Sequence, residues 1–392
     1  MRRMIIAVVL VLLVPAPALA RPEWKKRIDR AIGSASVGVA VREDGNFLYR
    51  RAHRDKRIPA SNQKLLLSMA MFDRVAPNGR IRTTAALDAD GDLWLLGHGD
   101  PTVTGGGSFA RRLPFEPTRL GVLARSVRDA GVTVVSGRVM GSTGYFSHDW
   151  GAPGWKSDFA ARWCPLPSAL TFNGNAANGN HISDPELRAA RSFTKKLEDL
   201  GIRVTGSPGS GTPTSQVTEV AEIASPRLKT LLQYTNRRSS NFFAEVLGKR
   251  LGVLRSGVPG TMAKGAAAIR AWAARLGVDI VARDSSGLSY DNRIATSGMV
   301  RLLGLAEDEP WGTTLRKLLP GAGQGTLKDR FNGVRLRAKT GSLDGVSALS
   351  GWIWLRRLDT WAEFSIMSRG FGYSAGKALE DRIVRELTRN AR

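Results

Sequence analysis

The sequence predicts an α/β (α+β) fold: an antiparallel sheet flanked by helices, with a smaller inserted β-rich domain. Three observations carry this reading. A helix, a hairpin and an apolar helix open the chain after residue 21. Three strand patterns crowd between residues 333 and 367, and from about Thr83 to Val220 the texture changes to short, glycine-rich strands. The 392 residues have room for two domains or one domain with a large insertion, and 42% hydrophobic with 23% charged residues excludes a disordered or membrane-embedded chain. We expect a signal peptide over 1–20, a main domain built from 21–83 and 221–392, and an inserted domain over 84–220.

Taken in order, Arg2 and Arg3 precede the apolar run Met4 to Val14, and Ala18-Leu19-Ala20 supplies the small residues of a cleavage site. That run is about half of the ~20 residues needed to cross a bilayer. No cysteine follows to take a lipid, so the mature protein is expected to start near Arg21 and to be exported, either periplasmic or secreted and cell-wall associated. Trp24, Ile28 and Ile32 then mark an amphipathic helix ending near Gly33, and Ala35–Val41 and Phe47–Ala52 form a hairpin. Pro59 halts the hairpin's continuation, and the run from Leu65 to Phe72 is an apolar helix.

In the insertion, Thr84–Asp88, Leu93–Leu96 and Val132–Val139 read as strands, with Asn-Gly turns at 173–174 and 178–179. Pro185–Leu200 reads as a helix and Gly201–Gly206 holds a short strand. The main domain resumes with helices at Pro226–Gln233, Asn241–Leu251, Thr261–Leu276, Thr296–Ala306 and Thr313–Leu318. Strands follow at Gly333–Thr340, Ser347–Leu355 and Thr360–Met367. In the last helix, Gly376–Arg389, the residues Leu379, Ile383, Val384 and Leu387 share one face. That face is expected to pack on the sheet beside the N-terminal helix rather than to lie on a membrane.

The net charge is +24, of which the leader holds only two arginines, so the surface attracts anionic polymers. After export these would be cell-wall polymers; no nucleic-acid motif accompanies the charge. The single cysteine, Cys164, has no partner for a disulfide and no neighbouring histidine, and reads as a buried structural thiol. His53, His98, His148 and His181 are scattered without ligand spacing, so no metal and no other cofactor is expected. Gly206-Ser207-Pro208-Gly209-Ser210 is not the G-x-S-x-G elbow of a histidine-dependent serine hydrolase.

The stretch with the most chemistry is Pro59-Ala60-Ser61-Asn62-Gln63-Lys64. Serine and lysine three residues apart at a helix start share one face, so the lysine can take the serine's proton if burial or a second cation keeps it neutral. The helix N-terminus favours an oxyanion there. The spacing recurs at Ser192/Lys195, inside a helix, and at Ser374/Lys377, which reads as the N-cap of the last helix. Only Ser61 has enough chain after it to complete a site. Ser239-Ser240-Asn241 opens a helix, where Ser239 could serve only as an N-cap, and Lys339-Thr340-Gly341 lies at a strand end.

In this order the three segments match the serine–lysine, Ser-x-Asn and Lys-Thr-Gly set of penicillin-recognising acyl-serine enzymes. The chain resembles the penicillin-binding D-alanyl-D-alanine carboxypeptidase/endopeptidase family of low-molecular-mass, class C type. Further blocks carry the resemblance: Gly97-His98-Gly99-Asp100-Pro101-Thr102, Asp284-Ser285-Ser286-Gly287-Leu288-Ser289 with Asp291-Asn292-Arg293, and Ala338-Lys339-Thr340-Gly341-Ser342-Leu343. The long separation of Ser61 from Ser239 is similar to this family's insertion and unlike compact class A β-lactamases. The chain departs where Asn173-Gly174-Asn175 is followed almost at once by Pro185: the third subdomain of larger members is missing or reduced.

The resemblance implies a penicillin-binding-protein/β-lactamase-like transpeptidase fold and cleavage of peptidoglycan stem peptides ending in D-Ala-D-Ala, with covalent inhibition by β-lactams. It makes Ser61 the nucleophile and Lys64 the base, with no glutamate positioned like the alternative base of class A β-lactamases. Ser239 relays the proton to the leaving amine, and Asn241 holds Lys64 and the substrate amide. Lys339 adds positive potential, while Thr340, Gly341 and Ser342 bind substrate, the N–H groups of Ser61 and Ser342 forming the oxyanion hole. The alternatives are a β-lactamase or esterase on the same fold, and a non-catalytic peptidoglycan-binding protein.

Overall fold

The computed structural model describes residues 21–391, so the expected signal peptide lies outside the described residues. The chain opens with α1 (Glu23–Ile32), β1 (Ser36–Glu43), β2 (Asn46–Arg51) and the short β3 (Lys56–Arg57), then makes a 3-10 turn over Ala60–Asn62 into α2 (Gln63–Arg74). In α2 every residue from Gln63 to Phe72 is buried, which explains its apolar run.

Next come β4 (Arg82–Asp88), β5 (Leu93–Gly97), α3 (Gly107–Arg112), α4 (Leu120–Asp129), β6 (Val134–Val135), β7 (Val139–Ser142) and α5 (Phe159–Trp163). After them lie β8 (Ala176–Ala177), β9 (Asn180–His181), α6 (Pro185–Glu198), β10 (Arg203–Val204), β11 (Gly209–Gly211) and β12 (Val217–Ala224). A five-stranded sheet of order β11-β7-β5-β4-β12 organises this stretch. Strands β4 and β12 pair from Arg82↔Ala224 to Asp88↔Val217, so the chain enters and leaves that sheet at one place. Leu120, Leu123 and Val127 of α4 and Phe193 and Leu197 of α6 cover it. Helix α4 was not anticipated. The expected strand Val132–Val139 is split at Ser136-Gly137-Arg138, because β6 pairs with β10 and β7 with β5 in different sheets.

The rest of the chain supplies α7 (Leu228–Arg237), α8 (Asn241–Ser256), α9 (Met262–Arg275), β13 (Ile294–Ala295), α10 (Thr296–Glu307) and α11 (Gly312–Leu318). Strands β14 (Leu336–Leu343), β15 (Val346–Leu355) and β16 (Thr360–Arg369) precede α12 (Tyr373–Asn390). The main sheet is antiparallel, in the order β14-β15-β16-β1-β2. Both faces are covered, and β15 shows how: Ala348 and Trp352 join the helical core with α2, α8 and α9, while Leu349 and Ile353 face α1 and α12. The apolar face of α12 is spent on this sheet, with Ile383, Val384 and Leu387 fully buried, which leaves nothing for a membrane. Among the described residues no helix is long and apolar enough to cross one. One edge of the sheet, β14, has no strand beyond it and meets the turn before α2 at Pro59 and Ala60.

Candidate active site

Ser61 sits in the 3-10 turn that feeds α2, between Ala60 in the left-handed region (φ 45) and the buried Asn62. The turn places Lys64 one residue into the helix, fully buried. Its Nζ donates to Ser61 Oγ (3.1 Å), Asn241 Oδ1 (2.8 Å) and the carbonyl of Ser286 (2.5 Å). Burial pushes its pKa down to about 8, against the pull of the Asp284 and Glu245 carboxylates.

The second serine is freed for chemistry by its neighbour. Ser240, not Ser239, is the N-cap of α8, accepting from the N–H of Phe243 (3.3 Å). Ser239 stands before it at φ 53, and its Oγ accepts from Lys339 Nζ (3.0 Å). Left-handed backbone at two non-glycine residues beside the same cleft, Ala60 and Ser239, is strain of the kind packing must hold in place. Asn241 is oriented by its Nδ2, which donates to the carbonyl of Trp163 (3.0 Å), leaving Oδ1 for Lys64.

Lys339-Thr340-Gly341 lies within β14 rather than at its end, because the strand runs on to Leu343. Lys339 is fully buried, and its pKa falls well below the usual value, first through burial and then through the charges of Lys64 and Lys377. The lowered pKa of Lys64 therefore comes chiefly from burial rather than from Lys339. On this edge strand the N–H of Ala338 points outward, donating to the Pro320 carbonyl (3.1 Å). The two-residue strand period turns the N–H groups of Thr340 and Ser342 the same way. Thr340 Oγ1 donates to Thr326 Oγ1 (2.9 Å). Gly341 has to be glycine: a Cβ there would stand 2.7 Å from the Pro59 carbonyl and 3.1 Å from Ala60 Cβ, so nucleophile turn and strand touch through it.

Of three supports, the sequence named Asp284 only within a family-like block and Lys377 only for its spacing, and it missed Glu245. Lys377 of the third serine–lysine spacing is buried and donates to the carbonyl of Gly341 (3.0 Å); Ser374 lies inside α12, whose N-cap is Gly372. Glu245, buried on α8, accepts from the N–H groups of Ser285 (3.0 Å) and Ser286 (2.7 Å), which fixes the carbonyl that holds Lys64. Burial and Asp284 raise its pKa to about 8. Asp284 in turn binds the N–H groups of Gly287 and Ser289, Asn292 Nδ2 and Trp155 Nε1. An acidic residue inside the apolar run Phe242-Phe243-Ala244-Glu245-Val246-Leu247 was the available signal for Glu245. Gly287 (φ +86) closes this loop over the nucleophile turn, where a Cβ would lie 1.9 Å from the Ala60 carbonyl. Gly287→Ala should therefore destabilise by about 1–3 kcal/mol and slow penicillin labelling, checked by denaturant unfolding and labelling kinetics.

Ser61, Ser239, Asn241 and Ser342 open on one cleft of about 730 Å³, also lined by Trp163, Leu288 and Tyr290. A serine bonded to a buried lysine, with a second serine–lysine pair at an open sheet edge, defines the class: an acyl-serine hydrolase of the α/β transpeptidase fold. The D-Ala-D-Ala carboxypeptidase 3 (S13) family matches residues 25–183 and 177–390, and the chain belongs to it. It is thus a serine peptidase. It is 27% identical, over 93% of its length and 83% of the relative's, to a D-alanyl-D-alanine carboxypeptidase of Actinomadura sp. (strain R39). That match runs over 465 residues, more than this chain has, so the relative carries segments absent here. Carboxypeptidase DacB of Mycolicibacterium smegmatis is also 27% identical, covering 93% of this chain and 81% of that one. The crystal structure of penicillin binding protein 4 (dacB) from Haemophilus influenzae shares the fold, with TM-score 0.78 at 18% identity over 93% of this chain and 99% of the other.

Proposed function

We propose that the protein is an exported D-alanyl-D-alanine carboxypeptidase/endopeptidase that cleaves peptidoglycan stem peptides through an acyl-Ser61 intermediate and is trapped there by β-lactams. The observation that carries this is the set of partners around Lys64. Two of them, the Asn241 amide oxygen and the Ser286 carbonyl, can only accept hydrogen bonds. Once Lys64 is neutral its two hydrogens go to them, and its lone pair is left for the one partner able to donate, the Ser61 hydroxyl. Deprotonating the lysine therefore creates the base in place.

In the reaction so proposed, Ser61 Oγ attacks the carbonyl between the terminal D-alanines as its proton passes to Lys64. The N–H group of Ser61 and the outward N–H of Ser342 take the oxyanion, where one donor is worth about 2.7–4 kcal/mol. Lys339 and Thr340 hold the terminal carboxylate. Ser239, held by Lys339, relays the proton from Lys64 to the departing amine; water, giving a proton to the freed Lys64, then hydrolyses the ester, and that proton returns to Ser61. Export and attraction to anionic wall polymers, suggested by the N-terminal segment and the net charge of +24, would keep the enzyme near its substrate.

Because Lys64 must be neutral, acylation should rise about tenfold from pH 6 to 7, with about a tenth of the enzyme competent at pH 7, and level off above about pH 8. Stopped-flow labelling with a chromogenic β-lactam checks this. The function itself is tested by digesting purified peptidoglycan: free D-alanine or cleaved cross-links are expected, and intact material would overturn the proposal.

A further inference from the structure

Beyond the cleft, a second concavity of about 420 Å³ lies at the other end of the same edge strand, between β14 and α11. Arg316, Lys317, Arg335 and Arg337 line it, and no carboxylate does. Arg316 alone is neutralised, by Glu307 at 2.9–3.0 Å; among the described residues the other three form no ion pair. Three guanidinium groups are held rather than free. Arg335 stacks on Trp354 and Trp361, 4.0 and 5.1 Å from their ring centroids, and Arg316 stacks on Trp361 at 4.9 Å. Arg337 is fixed by the Gln324 side chain at 3.1 Å. Three held guanidinium groups and Lys317 face one groove with only Glu307 to balance them, and a groove built so is completed by an anion.

Its place on the strand says which anion. Arg337 and Lys339 alternate onto one face of β14, with Arg335 just before the strand in the same alternation, so Arg337 stands about 7 Å from Lys339. The cleft takes in Ser342 and Leu343 at the C-terminal end of β14, and the groove takes in Leu336 and Arg337 at its N-terminal end. With the scissile carbonyl at Ser342 and the adjoining carboxylate at Lys339, the departing half of the substrate points from the cleft towards the groove. Free D-alanine ends at that carboxylate. The leaving half of a cross-link continues past it into a second peptide with carboxylates of its own.

We propose that this groove is a leaving-side subsite that binds the carboxylates of the second peptide in a cross-linked substrate, and so favours endopeptidase over carboxypeptidase cleavage. This rests on the acyl-Ser61 reading above. The test compares wild type with Arg335→Glu and, independent of the tryptophan stack, Lys317→Glu. Each is assayed on a cross-linked peptide dimer, on a monomeric peptide ending in D-Ala-D-Ala, and by penicillin labelling. Expected is a fall of about tenfold in kcat/KM for the dimer, carried by KM, with the monomer and labelling unchanged within about twofold. Equal losses on both substrates, an unchanged dimer rate in both variants, or a wild type that cleaves the monomer but not the dimer would overturn the subsite. A wild type that takes no penicillin and cleaves neither peptide overturns the serine reading instead, and the subsite with it.

Discussion

Replacing Ser61 by alanine should abolish covalent labelling by a fluorescent penicillin and lower peptide hydrolysis by about 10⁴–10⁶-fold. The size of the effect follows from geometry. Among the described residues Ser61 is the only hydroxyl bonded to Lys64; of the other two serines lining the cleft, Ser239 is bonded to Lys339 and Ser342 to neither lysine. A water in place of the missing hydroxyl leaves no ester, so labelling vanishes rather than slows. The fold should hold, because the Lys64 amine keeps its bonds to Asn241 and Ser286. Serine-to-alanine changes at the two other serine–lysine spacings, Ser192 and Ser374, are the control. Both lie within helices and neither lines the cleft, although Ser374 directly follows Tyr373, which does; both variants should label as wild type does. Labelling that survives Ser61→Ala, read by gel fluorescence and intact mass, would remove Ser61 from the mechanism.

What sequence reveals here divides by the range of the interaction that causes it. The helices and strands of the main sheet follow from local periodicity: Trp24, Ile28 and Ile32 bury one face of α1, and Leu379, Ile383 and Leu387 bury one face of α12. The three motif segments are each local enough to read, and their order supplies the rest. Elements set by partners distant in sequence were not legible. Val132–Val139 looks like one strand, yet its halves pair in different sheets. Ser239 and Ser240 are chemically the same residue, and only the backbone conformation decides which caps α8 and which meets Lys339. The supports of the site were hidden for the same reason. Glu245 acts through backbone N–H groups at Ser285 and Ser286, and Lys377 through a carbonyl at Gly341, neither of which leaves a spacing in the chain.

Lys64→Arg separates a base from a mere positive charge. If Lys64 served only to hold charge beside Ser61, arginine would substitute tolerably, since it donates hydrogen bonds and stays cationic. If Lys64 must give up its proton, arginine fails, because a guanidinium with a pKa above 12 does not deprotonate near neutrality. The site points to the second outcome. Lys64 is fully buried with its pKa pulled down to about 8, and two of its three partners cannot donate to it. Acylation by penicillin should fall by about 10²–10⁴-fold in Lys64→Arg. Lys64→Met, which keeps much of the volume and removes the amine, should fall as far, which distinguishes loss of the base from overpacking by the larger guanidinium. The pH profile supplies the sharper readout. Wild-type acylation climbs to about pH 8 as Lys64 loses its proton, and both variants should be flat over that range. An arginine variant that kept the climb would assign the titration to another group, with the neighbouring Lys339 the first to examine, its pKa being depressed by burial and by the charge of Lys64 itself.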